Sequence, residues 1–224
     1  MSRQRPGVVA FDVVETLMSL EPLRAVFADA GLAPEAVPRW FDRMLRDAVA
    51  LSLAGDYRPF AAVAAGSLQV VGPNLDQATR QRVLDAFTKL PAQPDANPGM
   101  ERLAAAGVSV ACLSNGPRAG TEAFLDRSGL DRFVDEVISV EEVGRWKPAP
   151  EVYRHALHRV GRAAPEVALV AVHAFDCHGA GKVGLTTGWA SRLEGRYAEV
   201  FTPADVVGTD LVAVVDALLD LPSP

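Results

Sequence analysis

Three apolar runs in this 224-residue chain end directly in side chains that could do chemistry. The runs are VVAF (8–11), VSVACL (108–113) and VALVAV (167–172). The polar residues that follow them are Asp12 and Thr16, then Ser114 and Asn115, then His173 and Asp176. If the runs are neighbouring parallel strands, their carboxyl ends meet at one edge of a sheet, where ligands of such sheets bind. The spacing therefore predicts one shared site.

An aspartate at a strand end can act as a nucleophile if backbone amides and a cation hold it ionised. Asp12 is our candidate for that role, and Lys147 and Tyr153, in EVGRWKPAPEVY, are candidates to support it. Lys147 would balance the charge of Asp12 and of an anionic substrate. The Ser114 side chain and the amides of the turn after it would bind an anion such as a carboxylate or a phosphate.

The elements that must position these residues alternate between strand and helix after residue 91. VSVACLSN, FVDEVISV and VALVAV read as buried strands, with TTGWAS as a further edge strand and helices between them. This alternation predicts a parallel α/β sheet of Rossmann-like type with helices on both faces. Between residues 20 and 90 the pattern is helical throughout. We therefore expect a core domain, 1–17 and 91–224, with an inserted helical cap domain, 18–90.

Composition narrows the class of protein. Hydrophobic residues make up 49% and charged residues 22% of the chain, which is typical of a globular protein. The net charge of −6, with no basic run, argues against partners such as nucleic acid or an anionic membrane surface. The two cysteines fit no CxxC pattern, and we find neither a signal peptide nor an apolar run of about 18 residues. We expect a reduced, cytoplasmic protein.

Four motifs in order, FDVVETL, LSNGP, KPAPEVY and HAFDCHGA, resemble those of the haloacid dehalogenase superfamily. The likeness covers nearly the whole chain, and within the superfamily the sequence is most similar to the type II, (S)-2-haloacid dehalogenases. It implies a hydrolase that releases halide from short 2-haloacids through an ester formed on Asp12, with no cofactor. It also implies a small carboxylate substrate and a homodimer.

The resemblance assigns roles to individual residues. The catalytic residues it implies are Asp12, Thr16, Lys147, His173 and Asp176. The substrate-binding residues it implies are Val14, Phe41, Ser114, Asn115 and Tyr153. Thr16 would orient a carboxylate oxygen, Asp176 would orient Lys147 or a water molecule, and Tyr153 would contact the substrate or Lys147.

Val14 separates two kinds of reaction. Phosphatases of this superfamily usually carry a second aspartate two residues after the nucleophile, because an alkoxide leaving group needs a proton. A halide leaves without one, so Val14 favours dehalogenation. A Mg²⁺-dependent phosphatase, with Asp12 and Asp176 as metal ligands, remains the alternative within the fold.

The chain departs from the dehalogenase pattern at several positions. The arginine that holds the leaving halide in the family falls on Phe41, and the serine and asparagine before the last aspartate fall on Ala171 and His173. Glu15 stands where glycine is commoner. His173 could hydrogen-bond to water or act as a base, and it could equally be a buried structural histidine. These departures leave a third interpretation open, a family member that has lost dehalogenase activity.

Overall fold

The computed structural model describes residues 3–33 and 35–223. Within them six strands form one sheet, in the order β3-β2-β1-β4-β5-β6, and all neighbouring strands are parallel. The strands are β1 Val8–Phe11, β2 Ser109–Ser114, β3 Glu136–Ser139, β4 Val167–Ala171, β5 Thr186–Ala190 and β6 Val206–Gly208. The α/β fold class predicted from the alternating pattern is confirmed.

Helices join the strands and also form a segment of their own after β1. The helices of that segment, called here the helical insert, are α1 Leu23–Asp29, α2 Ala36–Leu53, α3 Phe60–Val71 and α4 Gln77–Phe87. The remaining helices are α5 Ala96–Ala105, α6 Arg118–Ser128, α7 Pro150–Val160, α8 Ala174–Val183 and α9 Leu211–Leu219. The described helices include none long and apolar enough to cross a membrane.

Alternation along the strands builds a core on each face of the sheet. In β1, Val9 and Phe11 join the cluster that contains residues of α5, α6 and α9. Val8 and Ala10 point the other way and join the cluster with residues of α7 and α8. Because successive strand side chains face opposite sides, a strand covered on both faces must be apolar throughout, which explains why β1 is the continuous run VVAF.

Two predictions about element positions need correction. TTGWAS forms β5, which is an interior strand because β6 pairs with it on the outside. The pattern of β6 is too short, at three residues, to be recognised in the sequence. The sequence also predicts a Pro-rich connection over 90–100, LPAQPDANPGM, and the structure shortens it because α5 already begins at Ala96. Pro98 fits there because amides of the first helical turn have no partner within the helix.

The order of the strands in the sheet determines where the site lies. From β1 the chain moves to β2 and β3 on one side, and then returns to β4 on the other. The carboxyl ends of β1 and β4 therefore flank a point where the strand order reverses, which is where open α/β sheets bind ligands. Asp12 follows β1 and His173 follows β4, so both lie at this point.

Candidate active site

Asp12 extends the sheet ladder by one residue and is fixed by it. Its backbone N–H donates to the carbonyl oxygen of Val170 in β4 at 3.0 Å. The side chain is buried, with 5% of the residue exposed. Burial of a charged carboxylate is unfavourable unless other groups compensate it. The surrounding residues supply that compensation.

Lys147 joins Asp12 to Asp176. Its Nζ donates to Asp12 Oδ1 at 2.6 Å, to Asp176 Oδ2 at 2.6 Å and to the backbone oxygen of Leu113 at 2.9 Å. An ammonium group has three N–H donors, so all of them are used within the protein. The backbone N–H of Lys147 donates to Asn115 Oδ1 at 3.0 Å, which ties the lysine to the turn after β2.

The charges of these groups depend on one another. Burial alone would raise the pKa of Asp12, but Lys147 and His173 hold it well below its ordinary value. Burial likewise opposes the charge on Lys147, yet the two carboxylates raise its pKa. Asp12 is therefore an ionised carboxylate and Lys147 an ammonium near neutral pH, which is the state that a carboxylate nucleophile requires.

Asp176 lies behind the lysine. One oxygen accepts from Lys147 and the other, Oδ1, accepts from the Tyr153 hydroxyl at 2.6 Å. Burial raises the pKa of Asp176, Lys147 lowers it, and the charge of Asp12 adds to the rise. Gly179 allows this contact, since a Cβ there would lie 2.7 Å from the Tyr153 hydroxyl oxygen and from Pro148 Cβ. Asp176 and Tyr153 thus position Lys147 from the side away from the cavity.

Thr16 fixes the second oxygen of the nucleophile. Its hydroxyl donates to Asp12 Oδ2 at 2.7 Å and accepts from the backbone N–H of Val172 at 3.1 Å. The hydroxyl is thereby satisfied in both directions and is fully buried. With Lys147 on one oxygen and Thr16 on the other, the plane of the Asp12 carboxylate is set.

His173 lies between two carboxylates. Its Nδ1 is 3.5 Å from Asp12 Oδ2 and its Nε2 is 2.9 Å from Glu15 Oε2. Burial alone would lower the pKa of His173, but the hydrogen bonds and charges of Asp12 and Glu15 raise it to about 10. Both ring nitrogens face an acceptor, so the doubly protonated imidazolium fits this position.

Glu15 contacts the site through His173, although it was not among the site residues predicted from the sequence. Its φ is +67°, in the left-handed region that disfavours a residue with a Cβ. That explains physically why glycine suits this turn. Arg192 holds the turn from outside, because it donates to the carbonyl oxygens of Glu15 and Thr16 and pairs with Asp95 at 2.8 Å. The turn thus aims the Glu15 carboxylate at His173.

The end of β2 and the turn after it present two polar groups to the site, Ser114 and Asn115. The Ser114 hydroxyl oxygen accepts from the backbone N–H of Gly116 at 2.9 Å, so its own hydrogen is available to a ligand. The Asn115 oxygen is engaged by the backbone of Lys147, which directs the amide NH₂ group away from that loop. Ser114 and Asn115 are buried, with 1% and 7% of their surface exposed.

An apolar wall from the helical insert closes the site opposite Asp12. Phe41 of α2 is buried, and its ring stacks near that of His173, with centroids 6.4 Å apart and planes at 28°. Phe41, Phe60, Phe175 and Val14 line a cavity of about 10 Å³ beside Asp12 and Asn115. That is roughly the room one water molecule needs. Arg39 is exposed and Arg43 pairs with Asp47, so neither replaces the family arginine.

The donor set does not suit a metal ion. Residues 3–33 and 35–223 contain no group of three or more His, Cys, Asp or Glu side chains placed to hold one. Asp12 and Asp176, the ligands of the magnesium alternative, each have an oxygen 2.6 Å from the ammonium of Lys147. A divalent cation bridging the same two oxygens would have to displace this ammonium, and Val14 offers no side-chain oxygen.

The residues predicted for the site lie close together, but they do not all line the same cavity. Asp12, Thr16, Lys147, His173 and Asp176 form one connected network. Of the predicted substrate-binding residues, Val14, Phe41 and Asn115 line the small cavity and Ser114 lines a wider cleft beside it. Tyr153 contacts Asp176 and lines neither. Trp146 is an unpredicted neighbour, whose N–H groups donate to Ser52 and Arg58 of the insert.

The sequence and the fold are similar to known proteins. The sequence profile of the haloacid dehalogenase-like hydrolases matches residues 6–171. (S)-2-haloacid dehalogenase 4A of Burkholderia cepacia is 33% identical over 183 residues, 79% of each chain. (S)-2-haloacid dehalogenase 1 of Pseudomonas sp. (strain CBS-3) is 31% identical over 199 residues, 86% of this chain and 88% of that protein. A solved L-2-haloacid dehalogenase superposes with a TM-score of 0.91 at 25% identity, covering 98% of this chain and 100% of the other.

Proposed function

Because this chain belongs to the haloacid dehalogenase-like hydrolases, we propose that it hydrolyses the carbon–halogen bond of (S)-2-haloacids. The observation that carries the proposal is the buried Asp12 carboxylate, which accepts hydrogen bonds from Lys147 and Thr16 at the point where the strand order reverses. The similarity to several enzymes of this activity supports the reaction type. Asp12 is the nucleophile in this proposal.

The reaction has two steps. An oxygen of Asp12 attacks C2 of the acid in line with the halogen, the C–O bond forms, and halide leaves with the electron pair of the carbon–halogen bond. The configuration at C2 inverts, and the product is an ester of the Asp12 carboxyl. Water then attacks the ester carbonyl carbon of Asp12, and the bond from that carbon to the C2 oxygen breaks. One proton of the water goes to the departing oxygen and the other to solvent, which releases the 2-hydroxyacid and regenerates the carboxylate. The charge of Lys147 stabilises the negative oxygen that forms in this second step.

The substrate brings a further negative charge into a buried site. Asp12, Glu15 and Asp176 supply carboxylates, and Lys147 and His173 supply the cations that contact them. We therefore assign His173 to charge compensation beside the nucleophile, and not to general-base catalysis, because a pKa of about 10 keeps its ring protonated near neutral pH. Ser114 and the amide of Asn115 are the proposed donors to the substrate carboxylate.

This mechanism uses no metal ion. The ammonium between Asp12 and Asp176 and the apolar Val14 argue against the magnesium-dependent phosphatase alternative. Halide needs no proton to leave, so the absence of an acid at position 14 does not hinder the first step.

The test is halide release from (S)-2-bromopropionate and (S)-2-chloropropionate in metal-free buffer, with Asp12→Asn beside the wild type. We expect release by the wild type and a loss of at least about 10³-fold in the variant, since the nucleophile is missing. Asp126→Asn, at an exposed position on α6, is the matched control and should retain activity.

Isotope labelling separates the ester route from direct attack of water on C2. With enzyme in excess over substrate in H₂¹⁸O, the first turnover should place ¹⁸O in the Asp12 carboxylate and leave the 2-hydroxyacid unlabelled. Mass spectrometry of the peptide containing Asp12 measures this. Label appearing in the hydroxyacid during that first turnover, with none in the protein, would contradict the nucleophilic role. Activity on phosphate esters with Mg²⁺, without halide release from any 2-haloacid, would contradict the reaction type.

A further inference from the structure

A second and much larger cavity adjoins the candidate active site. It has a volume of about 550 Å³ and lies between the helical insert and the turn after β2. Val14 and Phe60 line both this cleft and the small cavity beside Asp12, so the two cavities lie side by side at these side chains. Ser114, the proposed donor to the substrate carboxylate, lines the cleft as well. The volume falls within the range of roughly 300–1,000 Å³ common for small-molecule sites.

The cleft exists because its walls are built from small side chains. Helix α3 begins FAAVAA and contributes Ala61, Ala64 and Ala65, and α6 contributes Gly120 and Ala123 from the opposite side. Helices lined with alanine and glycine leave space between them that larger residues would fill.

The lining is mostly apolar, and some of its polar side chains are already hydrogen-bonded within the protein. The indole N–H of Trp40 donates to the carbonyl oxygen of Ala64 at 2.9 Å. At the mouth, Asp85 accepts from Gln81 Nε2 at 2.7 Å. Among the described residues that line the cleft there is no lysine, arginine or histidine. A second carboxylate or a phosphate would therefore find no cation in the cleft. A hydrocarbon chain, in contrast, would leave water and pack against apolar side chains.

The small cavity leaves no room for such a chain. Its 10 Å³ lie against Asp12, Phe41 and His173, where the reacting carbon and the leaving halogen must be. Atoms of the acid beyond C3 must go elsewhere, and the adjoining space is the cleft on the other side of Val14 and Phe60.

We propose that this cleft binds the apolar chain of the acid substrate, so that the preferred substrates are 2-haloacids with an alkyl chain extending beyond C3. The inference rests on the proposed dehalogenase function and names the substrate class of the same site. Each methylene moved from water into the cleft should raise kcat/KM about fourfold until the cleft is filled.

The experiment measures halide release from a series of (S)-2-bromoacids, from propionate through butyrate and hexanoate to octanoate. Ala65→Phe fills the cleft from a partly exposed position on α3, and Val70→Phe places the same ring on the solvent side of that helix as the control. We expect kcat/KM to rise with chain length in the wild type and in Val70→Phe. In Ala65→Phe the dependence of kcat/KM on chain length should disappear.

Titration calorimetry with propanoate, hexanoate and octanoate gives a readout that needs no turnover. We expect tighter binding of the longer acids by the wild type and equal, weak binding by Ala65→Phe. Halide release that does not increase with chain length would overturn the chain-binding inference and leave the proposed function intact. Tighter binding of octanoate without halide release from any bromoacid would overturn the function and uphold the chain-binding cleft. Equal binding of all three acids by the wild type would overturn the inference on its own.

Discussion

Replacing Glu15 by glutamine should lower the pKa of His173 and change the pH dependence of stability. Glu15 Oε2 is 2.9 Å from His173 Nε2, and the side chains are largely buried, with 16% and 10% exposed, so solvent screens the pair little. A hydrogen bond between charged groups of this kind contributes about 1.5–3 kcal/mol. Glutamine keeps an acceptor but removes the charge. We therefore expect the pKa of His173 to fall by roughly one to two units.

The direction of the stability effect follows from linkage. The pKa of His173 is raised from 6.5 to about 10 in the folded protein, so protonation stabilises the fold. This contribution is complete below pH 6.5 and is lost as the pH rises through about 10. Glu15→Gln should therefore reduce the free energy of unfolding by about 1.5–3 kcal/mol near pH 7, and the difference from wild type should shrink toward pH 10.

The direct assay is an NMR titration of a histidine-labelled protein. The chain has four histidines, so His173→Gln suffices to assign the resonance. In wild type we expect imidazolium shifts through pH 8, and in Glu15→Gln a midpoint lower by at least about one unit. Glu101→Gln, an exposed position on α5, is the matched control. A His173 that titrates near pH 6.5 in wild type, or an unchanged midpoint in Glu15→Gln, would refute the reasoning.

Two further substitutions test the network around the nucleophile. Lys147→Met should reduce the free energy of unfolding by about 3–5 kcal/mol in urea titrations, because Asp12 and Asp176 would then be buried without their shared cation; an effect no larger than that of the exposed Lys182→Met would contradict this. Thr16→Val should cost about 1–3 kcal/mol, because it removes a donor to Asp12 and leaves a buried backbone N–H unpaired. A stability equal to wild type in the same titration would argue against that role.

The strands of the sheet could be predicted from the sequence because each one is a short, continuous run of apolar residues. A continuous apolar run such as β1 is explained by burial on both faces, and each predicted strand after residue 91 is present. β6 was not predicted, because a strand of three residues is too short to show a periodic pattern. As a consequence β5 was predicted to be an edge strand, although β6 pairs with it on the outside. The division into core and cap domains at residues 17 and 91 stays a prediction, although the helices between them form as expected.

The site was predictable where a residue's position at a strand end determines its location. Asp12 follows β1, Ser114 is the last residue of β2, and Asp176 lies in the first turn of α8 after β4. They meet because the carboxyl ends of parallel strands lie at one edge of the sheet. Glu15 and Arg192 were not predictable in this way, since their contact depends on a turn with positive φ and on a loop 177 residues away. Neither residue type nor spacing in the sequence reports such a contact.

Phe41 and His173 show how one departure from a family pattern can be understood only through another. Phenylalanine at position 41, where the family pattern has arginine, leaves the wall of the site without a cation. That loss by itself can cost on the order of 2–4 kcal/mol of transition-state stabilisation. The structure packs Phe41 against His173, 132 residues away in sequence, and Asp12 and Glu15 raise the pKa of that histidine to about 10. A positive charge is thus present beside the nucleophile, although it comes from the segment between β4 and α8 and not from α2. An arginine at position 41 would now face an imidazolium of like charge, whereas the uncharged ring of Phe41 packs beside it without that repulsion.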